Sequence, residues 1–404
     1  MATSDNISIP HSAEDIAPSW VQQVLQRDLP DVTITDVYVK GSINQDEGFM
    51  SDIIAFDAVG TRNGTSQRYS LVAKLTDFKR PRREYSKVLH VQKDMMEVKF
   101  YSLLVPELPY MSVHSTKQNY QPKDTDGGDH SYTDSFFLPR CYFAATDPST
   151  MLSVRVMENL KSQGFSIKPN RQPLSRDEMM LTVGAFAQLH GLSHRLELRL
   201  GKPLPEKYDW ILSGAISANE PTLKAYINEY PKCVEKFAAT FPDYPDLVAR
   251  LERLNVQNVL DVERGPRLKV LSHGDCWVNN IMIKHEGDVP IAVKLVDWQG
   301  IKFFPPTYDL ANLFLCGTGW DVFHKHRDAI LAHYHHQLQE TLDLGGGISP
   351  ELSGLQSYTL EQLKTDFKAD CQYGVFCRLM CRTVLPADKN MLRMVQEIAE
   401  WGVI

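Results

Sequence analysis

The chain has 404 residues, of which 43% are hydrophobic and 23% are charged. This length and composition are typical of a globular protein with one or two ample cores, so we expect two lobes. A net charge of −7 argues against a protein that binds nucleic acid or an anionic membrane. One basic tract, residues 79–83, could be a nuclear signal or a phosphate patch, but a solvated loop explains it better.

The N-terminal segment and the spacing of the cysteines indicate the cellular location and the redox state of the thiols. The N-terminal segment lacks the charged-then-apolar order of a signal peptide, and no apolar run approaches about 18 residues. We therefore expect a cytoplasmic protein with no membrane partner. The seven cysteines are scattered and odd in number, which suits free thiols. Cys377 and Cys381 lack a second pair at zinc-binding spacing, so we interpret them as core residues.

The first part of the sequence predicts one helix and three strands. Residues 17–29 have an amphipathic helical pattern that ends at Pro30. Alternating and β-branched residues then predict strands at residues 32–39, 53–59 and 69–75.

The loop between the first two of these strands contains glycines. A hairpin of two strands joined by a glycine-containing loop can hold backbone N–H groups over nucleotide phosphates. Gly41 and Gly48 do not form the G-x-G-x-x-G pattern, and Asp46 and Glu47 would repel a phosphate. An ordinary hairpin turn therefore remains an alternative of equal weight.

Lys74 lies near the end of the third predicted strand. The period of two puts it on the same face as Val72. A lysine on an inward face needs a counter-charge, because burying it unpaired is expensive. The next predicted helix, residues 86–104, offers Glu97 on the same helical face as Tyr101. Either residue alone would be interpreted as a surface charge, but their order favours an ion pair.

The middle of the chain begins with a polar segment, residues 113–135, which predicts a solvated insertion with a metal-binding tract as the alternative. A capping box, Ser175 to Glu178, opens a helix that we expect to run to about Leu192. His190 near its end is interpreted as a packing residue. Two strands are predicted between these segments, at residues 136–145 and 152–157.

Helical patterns dominate the remainder. Five histidines are crowded between His324 and His336, and some have i,i+4 spacing to acids. A metal site is one explanation, but we interpret most of them as exposed side chains. The helices are predicted at residues 222–240, 244–254, 328–344 and 360–385.

One polar segment concentrates the groups of a phosphoryl-transfer site. Asp275 and Asn280 lie between two apolar runs, and a second apolar strand, residues 291–296, ends at Asp297. Two short strands meeting at a polar loop would place these three side chains at one end of a hairpin. One carboxylate can orient a hydroxyl nucleophile and take its proton, while an amide oxygen and a second carboxylate hold Mg²⁺. The alternative is a hairpin in which Asp and Asn only form the turn.

This segment contains the pattern H-G-D-x-x-x-x-N, followed by a hydrophobic strand and D-W, and so resembles the catalytic core of the aminoglycoside phosphotransferase and choline kinase superfamily. HGDCWVNNIM and DWQGIKFFPPTYDLANLFL resemble most the ecdysteroid-kinase-like (CHK-kinase-like) family of small-molecule kinases. The likeness runs from about residue 35 onward. It implies an α+β, protein-kinase-like bilobal fold, with a β-rich, nucleotide-binding N-lobe at residues 1–158 and a mainly helical C-lobe at residues 159–404.

The resemblance also implies roles for the residues of the catalytic segment. Asp275 is similar to the catalytic-loop aspartate, and Asn280 and Asp297 are similar to the two Mg²⁺ ligands. His273 and Asp309 resemble the residues that brace the catalytic loop from behind.

The same resemblance implies an ATP site. Lys74, paired with Glu97, would hold the α- and β-phosphates, and Gly41 and Ser51 are the best candidates in the glycine loop.

The resemblance places the adenine base as well. It would lie against Val72 and the backbone from Glu158 to Leu160. Asn159 departs from the E-D-L pattern that is usual in the family, but backbone contacts do not depend on that side chain.

We therefore expect an ATP-dependent enzyme that phosphorylates a hydroxyl group of a small molecule. Only about a dozen residues separate Asp297 from Asp309, which is too short for the activation segment of a protein kinase. The family implies a steroid or other apolar alcohol as the acceptor. A kinase acting on a cationic acceptor such as choline or an aminoglycoside, and a catalytically silent nucleotide-binding module, remain the alternatives. The sequence does not specify the oligomeric state.

Overall fold

The structure is a computed structural model, and the residues it describes fall into two compact units. The first unit contains the described residues up to Glu107, those from residue 136 to Phe165, and the tripeptide Asp297–Gln299. The second unit contains the remaining described residues. The basic tract, the polar insertion and the centre of the glycine loop lie outside the described residues. The described ranges are 7–43, 51–76, 87–108, 136–213, 221–261, 267–343, 355, 357–381 and 385–404.

The first unit is built on a five-stranded antiparallel sheet. The strand order is β1-β2-β3-β5-β4. The second helix continues as a π-helical turn, Phe100–Leu104. The strands β1 to β5 span Val32–Ser42, Ser51–Arg62, Thr65–Thr76, Cys141–Asp147 and Leu152–Glu158, and the helices α1 and α2 span Pro18–Gln26 and Lys87–Lys99.

The sheet has one apolar face, and helix α1 packs on it. Trp20 and Val24 of α1 join Phe56, Leu71 and Ala73 of the sheet in one buried cluster. Successive side chains of a strand point to opposite faces, so the residues that alternate with these lie on the other face. That second face carries the charged residues of the candidate site.

One predicted strand begins later than expected. The apolar run from Phe136 suggested a strand to Ala145, but the strand begins at Cys141. Pro139 has no N–H to donate to a neighbouring strand, which explains the late start. Phe136 and Phe137 are buried all the same.

The second unit is mainly helical, and the predicted α+β class is confirmed. One boundary between the two units falls within strand β6, between Phe165 and Ser166. The strands β7 to β11 span Leu212–Ser213, Val270–Ser272, Ile281–Glu286, Val289–Leu295 and Lys302–Phe304. The helices α3 to α11 span Arg176–Leu200, Leu204–Lys207, Pro221–Thr240, Pro245–Glu252, Val256–Leu260, Pro306–Gly317, Trp320–Asp343, Leu360–Met380 and Lys389–Glu400.

Two small β-structures position the catalytic segment within this unit. Strands β9 and β10 form an antiparallel hairpin in which Ile281 pairs with Leu295. Strand β11 lies between β7 and β8. The loop after β8 therefore leads directly into the hairpin.

Helix α3 is longer than the sequence indicated. We expected it to end near Leu192, but it continues to Leu200. A Cβ atom on Gly191 would lie 2.7 Å from the Thr341 side chain, so the glycine allows α9 to approach α3 closely. Within the described part of the chain, no helix combines the length and the apolar character needed to cross a membrane.

Candidate active site

Lys74 is the centre of the charged face of the sheet. Its Nζ atom lies 2.7 Å from Glu97 Oε2 and 2.7 Å from Asp297 Oδ1, and the residue is only 8% exposed. Burial alone would lower the pKa of Lys74, but the charges of Asp297 and Glu97 outweigh it and raise the pKa above its usual value. Lys74 is therefore a fixed cation held between two carboxylates.

Glu97 is tied from several directions. Its Oε1 atom accepts a hydrogen bond from the backbone N–H of Trp298 at 3.3 Å. Its Oε2 atom faces Lys74 and also lies 3.3 Å from Arg155 Nε, although that last pair is not aligned as a hydrogen bond. The carboxylate thus connects helix α2 to two strands and to the Asp297 segment.

Arg155 is a second buried cation on this face, and no role was predicted for it. It lies opposite Lys74 in the pairing of β5 with β3 and is 0% exposed. Its guanidinium group donates to Asp94 Oδ1 at 3.1 Å and to Ser51 Oγ at 3.2 Å. Burial would lower its pKa, but the neighbouring carboxylates of Asp94 and Glu97 raise it.

The charges of this cluster fit a bound divalent cation. Three carboxylates, Asp94, Glu97 and Asp297, stand against two cations, Lys74 and Arg155, so the cluster carries one negative charge in excess. Carboxylate oxygens are the ligands that Mg²⁺ prefers. The position of Asp297 is therefore compatible with its predicted role as a metal ligand.

Asp297 has a left-handed backbone, with φ of 67°. Aspartate tolerates this region better than most residues, but the conformation costs about 1 kcal/mol. Oδ1 bonds to Lys74, and Oδ2 accepts from Gln299 Nε2 at 2.9 Å. The side-chain contacts thus hold a strained backbone in place.

The residues predicted to contact adenine lie at one end of the same sheet. Val72 is buried and shares the face of Lys74. The backbone N–H of Glu158 donates to Arg140 O, and that of Asn159 donates to Ser70 O. These two N–H groups are therefore engaged within the unit, while Leu160 begins a short helical turn.

The two glycine-loop candidates differ in their surroundings. Gly41 has φ of +97° at an irregularity in the pairing of β1 with β2, and a Cβ atom there would meet nothing within 4 Å. The hydroxyl of Ser51 is buried and bonds to Asp94 and Arg155. In this conformation Ser51 supports the charged cluster.

In the second unit, the Asp309 carboxylate contacts the loop that carries the H-G-D motif. Oδ2 accepts the backbone N–H of His273 at 2.7 Å, and Oδ1 accepts that of Gly274 at 3.0 Å and the thiol of Cys276 at 3.1 Å. Burial would raise the pKa of Asp309, but its hydrogen bonds and the nearby His190 hold it below the usual value. Asp309 thus holds the backbone at His273 and Gly274 and the side chain of Cys276, which follows the H-G-D motif.

His190 and Tyr334 continue this network. His190 Nε2 lies 3.3 Å from Asp309 Oδ2, and Nδ1 lies 2.7 Å from the Tyr334 hydroxyl. Burial and the charge of Asp309 raise the pKa of Tyr334 well above its usual value, so the phenol keeps its proton. His190, which we interpreted as a packing residue, therefore also hydrogen-bonds to the carboxylate that holds the loop.

His273 connects the loop to the end of the hairpin. Its Nε2 atom lies 3.0 Å from the carbonyl oxygen of Val296, and Nδ1 accepts the backbone N–H of Asp275 at 3.3 Å. These partners require a proton on Nε2 and none on Nδ1, which is the neutral imidazole. Both ring nitrogens of His273 are thus engaged with backbone groups of the loop and of the hairpin end.

Asn280 holds Asp275 directly. Its Nδ2 atom donates to the backbone oxygen of Asp275 at 2.9 Å and to Oδ2 at 3.0 Å. The backbone N–H of Val296 donates to Asn280 O at 3.0 Å, so Asn280 lies at the open end of the hairpin. With Nδ2 directed at Asp275, the Oδ1 atom is the one that can ligate a metal ion.

Gly274 can only be glycine in this loop. Its φ is +76°, and a Cβ atom would lie 2.0 Å from the carbonyl oxygen of Gly300. The close approach of these two backbone segments sets the path of the loop between His273 and Asp275.

The structure thus gathers the predicted residues into two groups. Lys74, Glu97 and Asp297 meet in the first unit. Asp275 and its neighbours meet in the second, together with Asn280, His273 and Asp309.

Sequence reasoning missed Arg155, Asp94 and Tyr334. A signal for Arg155 was present, because a charged residue interrupts the apolar strand LSVRVM where only a partner of opposite charge would make its burial acceptable. Asp94, three residues before Glu97 on α2, lies on the face where that partner is found. Tyr334 left no comparable signal.

The other metal-binding hypotheses find little support. His324 bonds to Glu397 Oε2 at 2.9 Å and stacks on Trp320, and His335 bonds to the carbonyl oxygen of Tyr358. No group of three or more His, Cys, Asp and Glu side chains suited to a metal occurs among the described residues.

Comparison with known proteins gives both a family and distant structural similarities. Among solved structures, a mutant of aminoglycoside 2'-phosphotransferase-IIIa with GDP is 10% identical, with a TM-score of 0.40, and the match covers 95% of this chain and 98% of that one. An ethanolamine kinase from Plasmodium vivax is 12% identical, with a TM-score of 0.36 and coverage of 99% and 98%. A microcompartment-associated aminopropanol kinase is 10% identical, with a TM-score of 0.34 and coverage of 93% and 94%.

Such identities are too low to transfer a substrate from those enzymes to this chain, and no curated protein matches it. The profile of the ecdysteroid kinase-like family matches residues 45–346. That range contains Lys74, Glu97, Asp275, Asn280 and Asp297, and it spans most of both units. The chain belongs to the ecdysteroid kinase-like family.

Proposed function

We propose that this small-molecule kinase transfers the γ-phosphoryl group of ATP to a hydroxyl group of an apolar, steroid-like alcohol. The observation that carries the proposal is the position of Lys74, 2.7 Å from both Glu97 and Asp297. A buried lysine between two carboxylates suits a contact with nucleotide phosphates beside a divalent cation. Membership of the ecdysteroid kinase-like family supports the class of acceptor.

Asp275 orients the acceptor hydroxyl and takes its proton. The hydroxyl oxygen forms the new bond to the γ-phosphorus, the bond from that phosphorus to the β–γ bridging oxygen breaks, and ADP leaves. Asn280 keeps the Asp275 carboxylate in place through its Nδ2 hydrogen bond. Asp309 fixes the loop that carries Asp275.

The nucleotide is held by residues of the first unit. Lys74 contacts the α- and β-phosphates, and Glu97 fixes the lysine. Val72 packs against the adenine, next to the backbone of Glu158 and Leu160. Gly41 and Ser51 are the residues of this region that would serve the phosphates, and the Ser51 hydroxyl is held by the charged cluster.

Asn280 and Asp297 would ligate Mg²⁺, whose charge neutralises the phosphate oxygens. Both offer hard oxygen ligands, and the excess negative charge around Asp297 favours a cation there.

A substrate screen tests the proposal. The protein is incubated with Mg·ATP and three sets of compounds: steroid alcohols, cationic acceptors such as choline and aminoglycosides, and no acceptor. ATP consumption is measured, and the phosphorylated product is identified by mass. We expect product with the steroid alcohols. Product only with cationic acceptors would refute the acceptor class, and Mg·ATP binding without any product would identify a silent module.

Asp275→Asn should keep the fold and the affinity for Mg·ATP but lower turnover by about two to four orders of magnitude, as expected for a positioned base. Turnover is measured with the acceptor from the screen, and affinity by calorimetry. Asp288→Asn, at the exposed turn of the β9–β10 hairpin, is the matched control and should leave turnover unchanged. Near-normal turnover of folded Asp275→Asn would remove this residue from the mechanism.

A further inference from the structure

We propose that Arg155 is a positioning residue for Lys74 in phosphoryl transfer, an inference that rests on the proposed kinase function. Arg155 and Lys74 are paired across β5 and β3, and the two side chains lie on the same face of the sheet. Arg155 has no exposed surface, so its charge is compensated by protein groups and not by solvent.

Arg155 fixes helix α2 at two points. Its guanidinium group donates to Asp94 Oδ1 at 3.1 Å, and its Nε atom lies 3.3 Å from Glu97 Oε2. Asp94 and Glu97 are three residues apart and lie on one helical face, so a single planar cation reaches both. The same Asp94 carboxylate accepts the Thr76 hydroxyl at 2.7 Å, two residues beyond Lys74 on β3. Arg155 therefore sets the position of Glu97 relative to the strand that carries the lysine.

The contact with Glu97 also changes what Lys74 can do. Lys74 and Arg155 approach the same oxygen, Glu97 Oε2, at 2.7 Å and 3.3 Å. Without Arg155, Lys74 alone would compensate the charge of that carboxylate and would be drawn more strongly toward it. With Arg155 present, Glu97 is shared between two cations, and the three-donor ammonium of Lys74 can direct a hydrogen bond to phosphate.

Stability alone is a poor explanation for a fully buried arginine. Burying a guanidinium group and its carboxylate partners costs several kcal/mol in desolvation, and apolar replacements of whole buried ion networks are often neutral or stabilising. This buried charge network lies directly beside Lys74. The geometry that it imposes on the lysine explains the network better than a contribution to stability does.

The test is a mutant cycle read out in kinetic constants. Arg155→Met keeps the stem and removes the charge, and it is made alone and together with Lys74→Met. Turnover and KM for ATP are measured per active site, and Mg·ATP affinity is measured by calorimetry. We expect Arg155→Met to lower kcat/KM for ATP by about tenfold or more in the normal background, but by less than about threefold in the Lys74→Met background.

A purely structural role predicts a different pattern. Arg155→Met would then lower the melting temperature and leave the constants per active site unchanged, or it would reduce them by the same factor in both backgrounds; either result overturns the proposal. Arg327→Met, which removes a partly buried arginine paired with Glu397 and stacked on Trp401, is the matched structural control and should lower stability only.

If Arg155→Met does not fold, Arg155→Lys serves the same purpose, because it keeps the charge but cannot span both carboxylates. We expect a smaller loss than for methionine, again confined to the background with Lys74. A wild-type protein that neither binds Mg·ATP nor forms any product would refute the proposed kinase function itself, which is a different outcome from an active protein that is insensitive to Arg155.

Discussion

The charged face of the first unit is organised by the ion pairs of one side chain, Lys74. Lys74 makes two ion pairs of equal length, so the same ammonium group connects a helix residue, Glu97, with a residue far along the chain, Asp297. Glu97 is buried and Asp297 keeps only 15% of its side-chain surface exposed, and a nucleotide phosphate would compete with both carboxylates for the same donors. The strength of this coupling can be measured.

Lys74→Met should raise KM for ATP and lower kcat, because the lysine contact strengthens as charge moves onto the leaving phosphate. Glu97→Gln should have a milder effect of the same kind, since it only misplaces the lysine. The double mutant should be little worse than Lys74→Met alone, because residues that act as a unit are not additive. Steady-state kinetics with varied ATP provide the measurement, and full additivity would show that the two side chains do not communicate in the reaction.

The Lys74 and Glu97 pair could be predicted from the sequence. The strand period placed Lys74 on an inward face, and the helix period placed Glu97 on an apolar face, so each charge needed a partner. Arg155 could not be placed in the same way, because its two partners are on a helix whose distance from β5 is set by packing. The contact of Asp297 with Lys74 spans 223 positions, and no local pattern specifies it.

At the scale of elements, the first three strands share a charge ladder. Asp57 of β2 is buried and lies 2.8 Å from Lys40 of β1 and 2.5 Å from Arg68 of β3. Burial would raise the pKa of Asp57, but the hydrogen bonds from Arg68 and Lys40 lower it to about 2. One carboxylate thus connects three strands.

This ladder makes stability depend on pH. The pKa of Asp57 is lower in the folded protein than the ordinary value of 3.8, so its contribution is present above about pH 4 and is lost as the pH falls toward 2. Between pH 5 and pH 3 the loss should be up to about 1 kcal/mol, reduced because both cations are largely exposed. Urea unfolding at both pH values, compared with Asp57→Asn, measures it.

In Asp57→Asn this part of the pH dependence should disappear. The exposed Asp31→Asn serves as the control and should keep the pH dependence of the wild type. An unchanged slope in Asp57→Asn would show that the ladder does not contribute.

Periodic elements were the easiest to predict. Helix α5 was expected from residue 222 and begins at Pro221, because its apolar face repeats over five turns. Helix α8 was missed because every one of its residues is buried, so its sequence has no amphipathic period to detect. Helix α11 was also missed, although Asp388 caps it by accepting the backbone N–H of Met391 and the apolar residues that follow have helical spacing.

At the scale of the whole molecule, the first unit is not continuous in the chain. Trp298 belongs to it, is 0% exposed, and stacks on Phe100 with ring centroids 4.3 Å apart. Phe137 packs near the same indole. A residue from the far half of the sequence therefore fills the core beside helix α2.

A fragment of residues 1–165 should not reach the native packing of this unit. It lacks the Trp298 ring and the Asp297 carboxylate, and removing a buried tryptophan costs about 3–5 kcal/mol. We expect no cooperative thermal transition and increased binding of a hydrophobic dye. In the full chain, Trp298→Ala should lose about the same free energy of unfolding, whereas Trp320→Ala, at a partly exposed position, should lose less. A fragment that unfolds cooperatively would contradict this expectation.

The tripeptide Asp297–Gln299 also has a consequence for biosynthesis. The ribosome must make the whole of residues 166–296 before the last pieces of the first unit leave the exit tunnel, although most of that unit was made long before. During this interval Phe100 lacks its aromatic partner and Lys74 lacks one of its two carboxylates, so nascent chains present an unfinished core to chaperones. Any polypeptide that stops before residue 297, through a premature codon or a proteolytic cut, lacks both. Cells that carry such a truncated gene should therefore contain no folded first unit, only a substrate for degradation.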